Sequence, residues 1–211
     1  MHELKALFER CLSAKYKKTP ESGDYCMQIE GETLYLLFQW SNGAEDWKNN
    51  FDFPARPYKR MSEVWLCHRG FARVWKAMRD EIEENVKREL TTAGADVERI
   101  VCVGYSHGAA LAVFATEDMA YHYGERYTVK GYGFGAPRVL WGIIPKAVKQ
   151  RLECFTTVRC VPDLVTHVPP ALLGYRHAGK LQKLGKLGKY SPIKAHYQDS
   201  YIAELIQHKE A

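Results

Sequence analysis

The stretch Arg99-Ile100-Val101-Cys102-Val103-Gly104-Tyr105-Ser106-His107-Gly108-Ala109-Ala110-Leu111-Ala112-Val113 decides how the rest of the chain is read. Its first five residues are a short apolar run of the kind that forms a buried strand. Its last five are alanine-rich and favour a helix. Between them, Gly104 to Gly108 match G-x-S-x-G. In that pattern a serine sits on a tight, strained turn from strand to helix. The glycines two residues to either side let the flanking elements approach where a Cβ would clash. The spacing predicts a strand over 99–103, a turn over 104–108, a helix from Ala109 to Tyr123 closed by Gly124, and Ser106 as an activated nucleophile. A glycine-rich turn that merely packs a helix is the other use of this spacing. The apolar strand before it and the helix after it favour the nucleophile.

Working outward, strand and helix patterns alternate. A helix is expected from the N-terminus to about Lys18, with Leu4, Leu7, Phe8 and Cys11 on one face. Strands are expected over Tyr25–Glu30 and Thr33–Trp40, joined at Gly31-Glu32, and over Val64–Cys67. Ser41 to Tyr58 reads as a loop, with a short helix around Asp46 to Asn49. A long helix from Gly70 to about Thr92 repeats Phe71, Val74, Trp75, Met78, Ile82 and Val86 at helical spacing, with Gly94 as its stop. Further strands are expected at Tyr127–Phe134, Phe155–Val161 and near Tyr175, and helices at Pro145–Leu152 and His196–His208. The expected fold is α/β: a mainly parallel central sheet flanked by helices, in one domain spanning residues 1–211.

A chain of 211 residues that is 46% hydrophobic and 26% charged can bury a sizeable core. A net charge of +5 is too weak and too dispersed for a nucleic-acid-binding footprint, though it favours anionic surfaces at long range. No segment is apolar and long enough to span a bilayer. The opening residues, Met1 to Arg10, are charged throughout and lack a signal-peptide core, so the expected location is cytoplasmic. Six cysteines, none in a C-x-x-C pair, argue against zinc, and the missing export signal argues against disulfides. Cys102 and Cys160, in apolar runs, are expected to be buried thiols.

A nucleophile elbow predicts an acid and then a histidine downstream. Asp163 follows an apolar strand directly, at its carboxyl end, where the sites of open α/β sheets lie. Glu117 and Asp118 fall on the helix after the elbow and are expected to be solvated. For the base, His196 stands where a loop enters the last helix and is favoured, with His177 as the alternative. His167 is too near the acid, and His208 lies deep in the helix.

At this point the chain resembles the class 3 lipases, the fungal-lipase-like and feruloyl-esterase-like α/β hydrolases. Segments match that family's motifs in order: Phe38-Gln39-Trp40-Ser41 with Asp46 to Asn50; His68-Arg69-Gly70-Phe71 with Trp75; Gly104 to Ala112; Gly133 to Val139; Asp163 to Pro170; Tyr175 to Gly179; and His196 with Tyr201. The likeness runs from about Thr33 to Leu205. It implies an α/β-hydrolase fold, a triad of Ser106, Asp163 and His196, no cofactor or metal, and carboxylic ester hydrolysis through an acyl-enzyme. It further implies an oxyanion hole from the N–H groups of His107 and Ser41. Trp40 and Trp47 are the expected substrate-binding residues, Trp47 lying in the stretch that corresponds to the family's lid. Gln39-Trp40 replaces the family's Arg-Gly, Tyr105 its usual histidine, Ala109 a glycine and Thr166 a proline. An acyltransferase or thioesterase on the same triad, and a non-catalytic binding protein on the scaffold, are the competing readings. Lys180, Lys183, Lys186 and Lys189 recur every third residue with leucines between them. They are expected to form a solvated loop or hairpin, with contact to an anionic lipid surface as the sharper reading.

Overall fold

The computed structural model describes residues 2–19, 23–41, 52–59, 63–92 and 96–207. Helix α1 (His2–Ser13) buries Leu7, Phe8 and Cys11, three residues at helical spacing. It stops short of the expected Lys18 because Lys17 pairs instead with Tyr25 in backbone hydrogen bonds. Strands β1 (Tyr25–Glu30) and β2 (Thr33–Phe38) form an antiparallel hairpin. There follow β3 (Ala55–Lys59), β4 (Val64–His68), helix α2 (Arg69–Thr92), β5 (Arg99–Tyr105), helix α3 (His107–Tyr123), β6 (Thr128–Phe134), β7 (Leu140–Trp141) and the short helix α4 (Lys146–Arg151). The last elements are β8 (Phe155–Cys160), β9 (Tyr175–Arg176), β10 (Lys180–Leu184) and helix α5 (Gln198–Gln207).

The main sheet has the order β1-β2-β5-β6-β8-β10, and every neighbouring pair after the hairpin is parallel. The apolar run Ile100–Val103 lies in β5, a central strand, and its alternate residues divide the core. Ile100 and Cys102 face a cluster containing Phe71, Trp75 and Ile82 of α2 and Leu111 and Phe114 of α3. Val101, Val103 and Tyr105 face the opposite cluster, with Leu7 and Phe8 of α1 and Tyr201 and Leu205 of α5. A mainly parallel sheet with helices on both faces is the expected α/β-hydrolase arrangement, with the carboxyl ends of β5 and β8 on one rim.

Several local expectations are corrected. Ala55–Lys59, placed in a loop, is a strand paired antiparallel with β4; together with β7 and β9 it builds a second, four-stranded sheet. Its Pro57 and lack of alternation concealed it, since proline suits only edge strands. Lys180–Leu184, expected as a solvated loop or hairpin, is the parallel edge strand beside β8. Lysines are the usual protection of such an edge, and only Leu184 of this strand is buried. Glu117 and Asp118 are buried rather than solvated; Glu117 accepts from Arg151 Nε at 2.7 Å. The last helix begins at Gln198, two residues after His196. Cys102 and Cys160 are buried as expected, and all six thiols are free. The expected helix around Asp46 to Asn49, the stop at Gly94 and His208 lie outside the described residues.

Candidate active site

The elbow is tighter than the motif alone implies. β5 runs through Tyr105 and α3 begins at His107, so Ser106 alone makes the turn. It does so at φ 55°, ψ −119°, and it is the single non-glycine residue at positive φ among the described residues. The glycines do what their spacing implied. A Cβ on Gly104 would lie 2.1 Å from the carbonyl oxygen of Gly108. A Cβ on Gly108 would lie 2.2 Å from that of Phe38 and 2.5 Å from that of Gln39. Gly108 therefore lets α3 press against the end of β2, and the next residues there are Trp40 and Ser41. His107, as the first residue of α3, carries its N–H at the positive end of the helix dipole.

β8 delivers the acid. Asp163 follows it in a turn closed by its own N–H to the carbonyl of Cys160, at 3.1 Å. The side chain is completely buried. Its Oδ1 accepts from the Val165 N–H at 2.9 Å. Its Oδ2 accepts from the Tyr201 hydroxyl at 2.6 Å and lies 2.9 Å from His196 Nδ1. Donors on both oxygens replace the water that burial removes. Burial and the charge of Asp163 in turn hold the Tyr201 phenol far above the usual tyrosine range, so it stays a donor.

His196 closes a short 3-10 turn (Lys194–His196) and sets Nε2 2.8 Å from Ser106 Oγ. With Nδ1 protonated, that nitrogen donates to Asp163 and leaves Nε2 to accept the serine proton. The ring lies nearly parallel to that of Tyr105, with centroids 5.3 Å apart at 24°, and the Tyr105 hydroxyl donates to the carbonyl of His196. On another side Gly135, at φ 60°, clears the space: a Cβ there would sit 3.0 Å from His196 Cε1. Ser106, His196 and Asp163 are thus brought together as anticipated. His177, the alternative base, is elsewhere. Burial first, then the charges of Arg138 and Arg159, pushes its pKa down to about 4. His167 meets the backbone oxygen of Asp163, 2.7 Å from its Nδ1, rather than the carboxylate.

A cavity of about 430 Å³ opens at this point, lined by Trp40, Ser41, Tyr105, Ser106, His196 and Tyr197 among others. The Trp40 ring stands 6.2 Å from that of Tyr105 and 6.1 Å from that of Tyr16, so the tryptophan that departs from the family pattern forms a wall of the cavity. Trp47 lies outside the described residues, as does most of the stretch corresponding to the lid. Reading the sequence did not assign roles to Tyr105 and Tyr201. Tyr201 entered only beside His196 in the segment that resembles the family's final motif, with no contact to the acid implied.

Residues 35–173 match the family model described as lipase (class 3). A secreted mono- and diacylglycerol lipase 1 of Fusarium solani is 27% identical over 146 residues, 68% of this chain and 41% of the relative. A secreted mono- and diacylglycerol lipase A of Penicillium cyclopium is 27% identical over 160 residues, 75% of this chain and 50% of the relative. The chain thus spans about half the length, or less, of these curated relatives. The crystal structure of a lipase from Rhizopus microsporus var. chinensis superimposes with a TM-score of 0.66 at 24% identity, over 80% of this chain and 60% of that one. Relatives named as secreted overturn the expectation of a cytoplasmic protein. The residues that carried it are α1, whose apolar face packs on the sheet; that is a structural role and gives no cellular address.

Proposed function

This chain belongs to the class 3 lipase family, and we propose that it is a serine carboxylic ester hydrolase acting on lipid esters of the acylglycerol kind, as the names of its relatives suggest. The observation that carries this reading is the continuous relay from Ser106 Oγ through His196 to Asp163, at 2.8 and 2.9 Å, on a strained elbow facing a cavity. In the proposed reaction Ser106 Oγ attacks the ester carbonyl carbon while its proton passes to His196 Nε2. Asp163 holds the ring in the productive tautomer and stabilises the imidazolium. The carbonyl oxygen, now an anion, is met by the N–H groups of His107 and Ser41. Collapse of the tetrahedral intermediate breaks the bond to the alcohol, which leaves with the proton from Nε2. Water then attacks the acyl-enzyme, gives a proton to Nε2, and releases the acid as that proton returns to Ser106.

Trp40 is proposed as a wall of the acyl site, and Trp47 as a second substrate contact. The two core clusters pack on opposite faces of one sheet, which supports reading residues 1–211 as a single domain. A lipid surface is the proposed partner. Leu187, Ile193 and Tyr197 are exposed in the segments before and after His196, with Lys186 and Lys194 among them. Lys189 does not belong to that rim, because it pairs with Glu204 at 2.5 Å. A series of p-nitrophenyl esters of increasing chain length tests the reading. Turnover should be measurable on the native chain and fall on the order of 10⁶-fold in Ser106→Ala. Turnover that persists in that variant would remove the proposal, and transfer to added alcohols in preference to water would turn it into an acyltransferase.

A further inference from the structure

Beside the acid loop, the described structure gathers positive charge with no carboxylate to match it. Arg159 of β8 and Lys183 of β10 are register partners in a parallel pair, so their side chains leave the same face of the sheet side by side. Arg159 Nη1 lies 3.3 Å from His167 Nε2. Arg138 donates from Nη1 to the carbonyls of His167 and Pro169, the second at 2.9 Å. Two guanidinium groups therefore converge on the loop that follows Asp163. His177 feels their field, since both arginines add to the burial that keeps its ring neutral. Elsewhere in the fold a partly buried arginine is matched: Arg151 pairs with both Glu63 and Glu117. Among the described residues Arg138, Arg159 and Lys183 have no such pair. Arg159 Nε is shut off from solvent with no hydrogen-bond partner there.

Such an arrangement is costly as it stands. Like charges opposite one another on neighbouring strands repel, and an enclosed guanidinium N–H without an acceptor carries its full desolvation penalty. One bound anion relieves the repulsion. Two planar forks and an ammonium suit a tetrahedral, doubly charged group better than a single carboxylate, which one fork would satisfy. We propose that Arg138, Arg159 and Lys183 form a binding site for a phosphate group, supplied as free phosphate or as the phosphomonoester headgroup of a phospholipid. Occupancy would brace residues 163–170, the loop that holds Asp163. The headgroup version rests on the ester-hydrolase reading; the site itself does not.

The test uses thermal unfolding of the whole chain, titrated with inorganic phosphate against sodium chloride at constant ionic strength. The native chain should gain about 3 °C in Tm once phosphate exceeds its Kd roughly tenfold, and go on rising with the logarithm of the phosphate concentration. Arg159→Gln and, separately, Lys183→Gln should lose that rise, while unfolding no earlier than the native chain in chloride, because each removes a repulsion. Lys183 is an exposed edge residue, so its variant keeps the test valid if Arg159→Gln folds poorly. A native Tm that follows phosphate no more than chloride, or variants that keep the rise, would overturn the site. A second arm compares hydrolysis of a short-chain phosphatidic acid with that of the matching diacylglycerol. A several-fold drop in that ratio in Lys183→Gln assigns the phosphate to the lipid headgroup, and an unchanged ratio with the Tm rise lost assigns it to free phosphate. Loss of activity on both substrates in the native chain would count against the hydrolase reading and leave the thermal arm standing.

Discussion

The Tyr201 hydroxyl and His196 Nδ1 converge on one oxygen of Asp163: Oδ2 lies 2.6 Å from the first and 2.9 Å from the second. The same hydroxyl accepts from the Cys160 N–H at 3.2 Å, tying the end of β8 to helix α5. In the proposed relay Tyr201 is therefore a positioning residue, fixing which Asp163 oxygen faces the imidazole. Tyr201→Phe should lower kcat on the order of tenfold with KM little changed. Stability should fall by about 1–3 kcal/mol, because a buried carboxylate and a buried N–H each lose a partner. Steady-state kinetics and urea unfolding of the same preparation measure both effects. An unchanged kcat would mean that Val165 and His196 hold the carboxylate without it.

Tyr105 acts on the histidine from the other side, through its ring and through its hydroxyl. Two variants separate these contacts. Tyr105→Phe keeps the stacked ring and should cost kcat only a few-fold. Tyr105→Leu removes both contacts and should cost about 10²-fold, the scale of loss when a reacting group shifts by about 1 Å. Equal losses in the two variants would place the whole effect on the hydroxyl.

The Gly108 contact links the elbow to the proposed oxyanion strand. A Cβ there meets the backbone of Phe38 and Gln39, which cannot move aside as a flexible side chain could. Gly108→Ala should push α3 off the end of β2 and displace Trp40 and Ser41, with at least about a 10²-fold loss in kcat and a lower Tm. Gly31→Ala is the control. It replaces a glycine at φ 54°, and its Cβ meets nothing within 4 Å. That variant should lose about 1 kcal/mol of stability and retain its kcat.

His177 gives a stability prediction with a definite sign. Its folded pKa, about 4, lies below the ordinary 6.5. Between those values the unfolded chain binds a proton that the folded chain refuses. The stability tied to this group is therefore complete above about pH 6.5 and is lost as the pH falls toward 4. In chloride buffer without phosphate, His177→Gln should flatten this part of the curve. The loss between pH 7 and 4.5 should be smaller than in the native chain by on the order of 2 kcal/mol. Parallel curves would show that the ring is not held neutral.

The triad could be read before the structure because each member sits at a place that local pattern marks. Ser106 is on an apolar strand followed by an alanine-rich helix, Asp163 is at the end of another strand, and His196 is at the mouth of the last helix. The central strands could be read for the same reason: Ile100 to Val103 are apolar throughout, as buried parallel strands are. What escaped was decided by neighbours rather than by pattern. Ala55–Lys59 is a strand only because β4 lies beside it, and its proline argued otherwise. Lys180–Leu184 resembles a solvated segment because an edge strand is solvated along most of its length. Glu117 is buried because Arg151, thirty-four positions away, reaches it. Tyr201 and Tyr105 touch the triad across the sheet rim, through contacts that no spacing along the chain encodes.

The central claim, that Ser106 is a nucleophile activated by His196, is tested most directly by covalent capture. The folded native chain is treated with a fluorophosphonate and digested, and the adduct is located by mass spectrometry. One stoichiometric adduct is expected on the peptide containing Ser106, formed far more slowly in His196→Ala and absent in Ser106→Ala. A folded native chain that stays unlabelled, or an adduct on another residue that survives Ser106→Ala, would contradict it.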